Sequence, residues 1–180
     1  LATGATHAAA PLPGAAPLTV PEALAAPREG WAGRHVAILD AAGSWATLSA
    51  AETLAEAGET VEIVAAPGAP LWAVTLYSRM TALERLARAG VKVRTGLIPR
   101  AVEGDRLTCH APGPDEAVTL GPFDTLVHSD IGTAATALHS ALEEAGLPVR
   151  AIGDAVAPRT LFEAMHDARA AVIALGEARC

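Results

Sequence analysis

An α/β fold organised around a parallel sheet follows from three features of the 180-residue sequence. Short apolar runs alternate with alanine- and leucine-rich stretches of helical length, and glycines at Gly58, Gly90 and Gly146 close those stretches. The connections are short, which favours strand-helix-strand units with right-handed crossovers. After the third strand the period changes: three brief runs are separated by Glu103-Gly104-Asp105 and by Pro112-Gly113-Pro114, the signature of a small antiparallel meander.

Taken in order, Ala5–Gly33 holds Pro11, Pro13, Pro17, Pro21 and Pro27, each of which removes a backbone donor, so it reads as connecting structure with one short helix at Pro21–Ala26. His35–Leu39 is a buried strand, Ala46–Ala57 a helix and Thr60–Val64 the next strand. Ser78–Ala89 places Met80, Leu83, Leu86 and Ala87 on one helical face, and Val91–Arg94 returns as a strand. Leu97–Val102, Arg106–His110 and Ala117–Leu120 form the meander. Phe123–His128 is a strand, Ala134–Ala145 a helix, Val149–Ile152 a last strand and Leu161–Leu175 a closing helix.

Hydrophobic residues make up 51% of the chain, enough for a core, while aromatic residues make up only 3%, so helices are expected to pack through small side chains. A formal net charge of −7 argues against nucleic acid and against anionic membrane surfaces as partners. Cys109 and Cys180 lie far apart, so the chain has neither a disulfide framework nor the spacing of a zinc or iron–sulfur site. With no spanning segment or signal-peptide pattern, a cytoplasmic location is the expectation.

A dinucleotide site needs glycine at three points after the first strand: for the turn, for close approach of pyrophosphate, and for helix–strand packing. Directly after Val36-Ala37-Ile38-Leu39 those points hold Asp40, Ala42 and Trp45. A carboxylate about 4 Å from a phosphate charge costs roughly 4 kcal/mol at an effective dielectric near 20. Ala42 adds a methyl, and Trp45 is expected to fill the phosphate space or push the helix off the strand. The bland role for Asp40 or Ser44 is to cap the helix that follows. The second strand ends in Ala65-Ala66-Pro67, without an acid for a ribose hydroxyl or an arginine for a 2′-phosphate.

Leu1-Ala2-Thr3-Gly4-Ala5, Leu18-Thr19-Val20-Pro21-Glu22-Ala23-Leu24, Ala51-Glu52-Thr53-Leu54-Ala55-Glu56-Ala57-Gly58 and Ile152-Gly153-Asp154-Ala155-Val156-Ala157-Pro158-Arg159 occur in an informative order and spacing. Together they resemble the C-terminal region of the trimethylamine dehydrogenase, histamine dehydrogenase and 2,4-dienoyl-CoA reductase family, in which an old-yellow-enzyme-like barrel is joined to FAD/NAD(P)-type domains. The resemblance implies a three-layer Rossmann-like domain, with a parallel sheet and an antiparallel meander, plus terminal pieces of a second such domain. Residues 1–33 would be the end of an FAD-type half and its linker, 34–128 an NAD(P)-binding-like domain with a degraded fingerprint, and 129–180 the return to the FAD-type half.

By the same resemblance the parent enzyme is an amine dehydrogenase or enoate/dienoyl-CoA reductase with FMN, a 4Fe-4S cluster and ADP or FAD, and this chain alone holds no cofactor firmly. Thr3, Gly4, Gly153, Asp154 and Ala155 are the implied cofactor contacts, with capping of the downstream helix as the competing role for Asp154. The implied partners are the rest of the flavoprotein, further copies in a homo-oligomer, and an electron-transfer flavoprotein near Trp72 and Tyr77. A functional NAD(P)H-binding module and a ligand-free docking domain stay open. His166, Asp167 and Arg169 read as a solvated helix face; His7, His35, His110, His128 and His139 lack metal spacing, and Ser44, Ser49 and Ser140 form no nucleophile elbow. No catalytic constellation is expected.

Overall fold

The computed structural model describes residues 1–26, 33–113 and 116–177, so Pro27 and Pro114 lie outside the described residues. The elements run β1 (Ala5–Thr6), β2 (Leu18–Thr19), α1 (Val20–Ala25), β3 (His35–Asp40), α2 (Trp45–Glu56), β4 (Thr60–Ala65), α3 (Leu76–Arg88), β5 (Lys92–Thr95), β6 (Ile98–Glu103), β7 (Arg106–His110), β8 (Ala117–Leu120), β9 (Thr125–Ser129), β10 (Thr133–Ala134), α4 (Ala137–Glu144) and α5 (Leu161–Glu177). A short 3-10 turn covers Gly153–Ala155. The chain divides into two compact units, one of residues 9–130 and one combining residues 1–8 with 131–180.

In the larger unit five strands form a parallel sheet in the order β2-β9-β3-β4-β5. Alternation along the central strands separates two apolar layers. Val36, Ile38, Val61 and Ile63 pack with Leu48, Ala51 and Leu54 of α2 and Leu86 of α3. Ala37, Leu39 and Val64 pack on the other side with Leu107, Cys109 and Leu120 of the meander β6-β7-β8. The result is the three-layer arrangement expected: helices, sheet, meander.

Local chemistry accounts for the element ends. Thr19 and Glu22 form a reciprocal capping box on α1, with the Thr19 N–H donating to Glu22 at 2.7 Å and the Glu22 N–H donating back to the Thr19 hydroxyl at 3.3 Å. Ser44 caps α2 by accepting from the Ala46 N–H at 3.2 Å. Pro13 and Gly14 lie against β6: the Val102 N–H donates to the Pro13 carbonyl at 2.8 Å, and a β-carbon at Gly14 would meet the Val102 carbonyl oxygen at 2.0 Å. The segment expected to be connecting structure with one short helix thus holds that helix and supplies in addition a strand and a brace for the meander.

In the smaller unit β1 pairs antiparallel with β10, a pairing too short to read from alternation. Thr133–Ala134 therefore belongs to a strand, and the helix expected from Ala134 begins at Ala137. Val149–Ile152, expected to be a strand, is not one. Its described pairing is with Leu1 alone: the Leu1 amino group donates to the Arg150 carbonyl at 2.9 Å and the Ile152 N–H to the Leu1 carbonyl at 3.0 Å. That is one rung of a parallel ladder, and one rung does not make a strand.

Candidate functional site

The turn after β3 is where this fold would receive a dinucleotide, and its donors are already taken. The N–H groups of Ala41 and Ala42 donate to the Ser129 carbonyl at the end of β9, at 3.0 and 3.1 Å. The Gly43 N–H donates to Asp40 Oδ1 at 2.7 Å, and the Ala46 N–H is held by Ser44. A phosphate cradle works by presenting free backbone N–H groups at a helix start. Here four of them point into the protein's own acceptors.

Asp40 does not stand in the phosphate space as expected. It is 4% exposed and turned inward, where its Oδ1 also accepts from the Thr47 hydroxyl at 2.6 Å, and Thr47 and Ser129 share a hydroxyl–hydroxyl bond of 2.8 Å. Oδ2 has no hydrogen-bond partner among the described residues. Burial pushes the Asp40 carboxyl above the usual carboxylate range, while Thr47, the Gly43 and Ala42 N–H groups and the His128 imidazole pull it back.

Trp45 does not fill the turn either. At the first position of α2 its indole is 53% exposed. The turn is covered instead by Trp72, from the loop after β4. A β-carbon at Gly43, where φ is +58°, would meet Trp72 Cδ1 at 2.3 Å. The Ala73 N–H donates to the Gly43 carbonyl at 2.9 Å, which ties the loop to the turn. Leu71 anchors it, fully buried and held at φ +48°, a left-handed conformation uncommon for a side chain of this size. The sequence carried the altered glycine positions but not this cover, because a contact between residues 43 and 72 has no local signature.

The implied cofactor residues all lie in the smaller unit. Thr3 donates its hydroxyl to the Ala135 carbonyl at 2.7 Å, and Gly4, at φ +75°, accepts from the Ala135 N–H at 3.1 Å. The rung between Leu1 and Ile152 sets the two segments side by side, so Thr3 and Gly153 leave from the same end of the pairing. Gly153, at φ +62°, faces Ala164 of α5, where an added β-carbon would sit at 3.4 Å. Asp154 accepts from the Arg159 N–H at 3.1 Å through Oδ1 and does not cap α5, whose start is capped by Thr160 with Glu163, and Ala155 is buried.

Asp167 is not a bystander. Its Oδ2 accepts from the Gly153 N–H at 3.1 Å and from Arg159 Nη2 at 2.6 Å, so it fixes the Gly153 turn against α5. Helical periodicity placed it on a solvated face, and only the chain's return reveals the partner. Trp72, Leu76, Tyr77 and Met80 are 47%, 55%, 85% and 58% exposed. Arg79 stands among them on α3, while Arg85 in its last turn pairs with Glu52 at 2.7 Å. Cys109 is buried and its thiol pushed up to about 11, chiefly by burial and then by Glu62. No group of three His, Cys, Asp or Glu residues among those described could hold a metal ion.

No family model matches the chain, and no curated protein matches it. Solved structures do. Histamine dehydrogenase from Rhizobium sp. 4-9 superposes with a TM-score of 0.78 at 21% identity, over 92% of this chain and 28% of that one. 2-Naphthoyl-CoA reductase, in complex with 2-naphthoyl-CoA, gives 0.77 at 24% identity, over 92% of this chain and 25% of its own. The HOCl-induced flavoprotein disulfide reductase RclA from Escherichia coli gives 0.65 at 21% identity, over 93% of this chain and 42% of its own. By fold, the chain corresponds to about a quarter of the histamine dehydrogenase and 2-naphthoyl-CoA reductase chains, members of the family its sequence resembles.

Proposed function

We propose that this chain is the nucleotide-binding-like portion of a flavin-dependent oxidoreductase of the amine dehydrogenase or enoate/dienoyl-CoA reductase type, where it acts as scaffold, pocket wall and docking surface. The observation that carries this reading is the closed turn after β3, with its N–H groups consumed and Trp72 seated on Gly43. A domain with the dinucleotide fold but no open cradle supports electron transfer without taking hydride from a nicotinamide. Substrate chemistry would then belong to a flavin-bearing barrel elsewhere in the parent protein.

Thr3, Gly4, Gly153, Asp154 and Ala155 suit one wall of a neighbouring ADP or FAD site. They stem from two adjacent segments, Gly4 and Gly153 turn the chain at positive φ without side chains, and the Asp154 carboxylate keeps acceptor capacity beyond its one bond to Arg159. Such a nucleotide would supply binding and positioning for the parent enzyme; Asp154 would accept from its ribityl or pyrophosphate region. The exposed aromatic and apolar side chains at the start of α3 support docking of an electron-transfer flavoprotein, with Arg79 meeting an acidic partner surface.

The protein that carries this chain, purified whole, should show a flavin absorption spectrum and release FMN on denaturation. Asp154→Ala in that protein should weaken ADP binding about tenfold, equivalent to about 1.4 kcal/mol. A colourless protein that cannot be reconstituted with either flavin overturns the reading, and an unchanged ADP constant removes Asp154 from the wall.

A further inference from the structure

Asp154 sits on a segment whose two ends meet at a single atom. Gly153 opens that segment at φ +62°, directly after Ile152 has donated its N–H to the Leu1 carbonyl, and Arg159 closes it after Pro158. Asp167, on α5, accepts through Oδ2 from the Gly153 N–H at 3.1 Å and from Arg159 Nη2 at 2.6 Å. The second of these bonds joins opposite charges, which makes it the stronger of the two. Between the clasped ends the Arg159 N–H donates to Asp154 Oδ1 at 3.1 Å, and Arg159 Nε donates to the Ala157 carbonyl at 3.2 Å.

Each contact limits a different freedom. Glycine takes a positive φ without steric cost, but its own permissiveness leaves little in the local chain to fix where the next residue points. Gly153 is buried, so its N–H needs an acceptor, and that acceptor comes from a helix 14 residues further on. Bonds at Nε and Nη2 hold the Arg159 side chain at two points, which anchors the residue whose N–H holds Asp154. An isolated surface ion pair contributes little, but this one shares its acceptor with a buried backbone N–H. Thr160 and Glu163 cap the start of α5 and so steady the helix that carries Asp167. Asp154 Oδ2 accepts no hydrogen bond among the described residues, so the held carboxylate keeps one oxygen for a ligand donor.

We propose that Asp167 is a positioning residue for nucleotide binding: without touching the ligand, it clasps both ends of the Gly153–Arg159 segment and holds the Asp154 carboxylate in the orientation that accepts from a sugar hydroxyl of the nucleotide. This rests on the reading of Asp154 as part of a nucleotide wall. All of the residues concerned belong to the smaller unit.

The test is a double-mutant cycle in the whole protein that carries this chain, stripped of bound nucleotide and titrated separately with ADP and with FAD. For the nucleotide that the wild type binds, Asp167→Ala should weaken affinity about tenfold. In the Asp154→Ala background the same change should cost less than about twofold, because Asp167 acts through that carboxylate, whereas a general loosening of the unit would weaken binding in both. Asp167→Asn keeps an acceptor for the Gly153 N–H and loses the charge that holds Arg159. It should lose roughly threefold, again only where Asp154 is intact, and it serves where Asp167→Ala does not fold. Wild-type affinity in either folded Asp167 variant, or an equal loss in both backgrounds, overturns the proposal and leaves the wall in place. Binding of neither nucleotide by the wild type, or wild-type affinity in Asp154→Ala, overturns the wall and this role of Asp167 with it.

Discussion

At the residue scale the decisive group is Asp40, because its buried carboxyl organises both the end of β3 and the start of α2. Thr47 bridges it to Ser129 on β9, so Thr47→Val removes a hydroxyl that serves two buried partners. Urea unfolding should show Thr47→Val less stable by about 1–3 kcal/mol, the cost of leaving buried polar atoms unpaired. Burial raises the Asp40 carboxyl above its unfolded value, so in the window between the two values the native chain holds a proton that the unfolded chain has lost. Stability therefore falls as pH rises through that window, and the loss persists above it. Glu59 acts in the same direction, raised by burial and partly restored by Arg34. Asp40→Asn should flatten this fall in unfolding measurements between about pH 4 and 7, leaving the smaller slope that Glu59 contributes; an unaltered slope would show that the Asp40 carboxyl is not desolvated.

At the element scale the turn and the loop over it behave as one piece. Gly43 tolerates Trp72 because it has no β-carbon and sits at φ +58°. Gly43→Ala strains the backbone and drives a methyl into the indole, so a loss of about 1–3 kcal/mol is expected, with a shift in tryptophan fluorescence as Trp72 is displaced. No loss and no spectral change would mean that the loop does not lie on the turn. Elements with local signals were legible in the sequence: the Ser44 cap, the glycine stops, and the short apolar runs of β3 and β4 all have causes within a few residues. The altered fingerprint was also legible, as three positions after one strand. What closes the turn was not, because Trp72 and the Ser129 carbonyl reach it from about 29 and 87 residues away from Gly43 and Ala42 respectively. The strand expected at Val149–Ile152 failed for a related reason: apolar alternation marks a segment fit to pair, and pairing needs a neighbour.

At the scale of the whole molecule, the chain divides into two compact units. The larger keeps the sheet order, the crossovers and the carboxyl-end crevice of a dinucleotide fold, yet spends its turn donors on Ser129 and Asp40. The smaller holds the Gly153–Ala155 turn through Asp167 and Arg159. No helix among the described residues is long and apolar enough to cross a membrane. On α5 the apolar side chains of Phe162, Met165 and Val172 are 74%, 64% and 69% exposed. Loss of nicotinamide binding is the claim on which the functional reading depends. Isothermal titration of NADH and NADPH into the chain tests it most directly: no saturable heat is expected up to about 1 mM ligand, whereas a micromolar Kd for either dinucleotide contradicts the account.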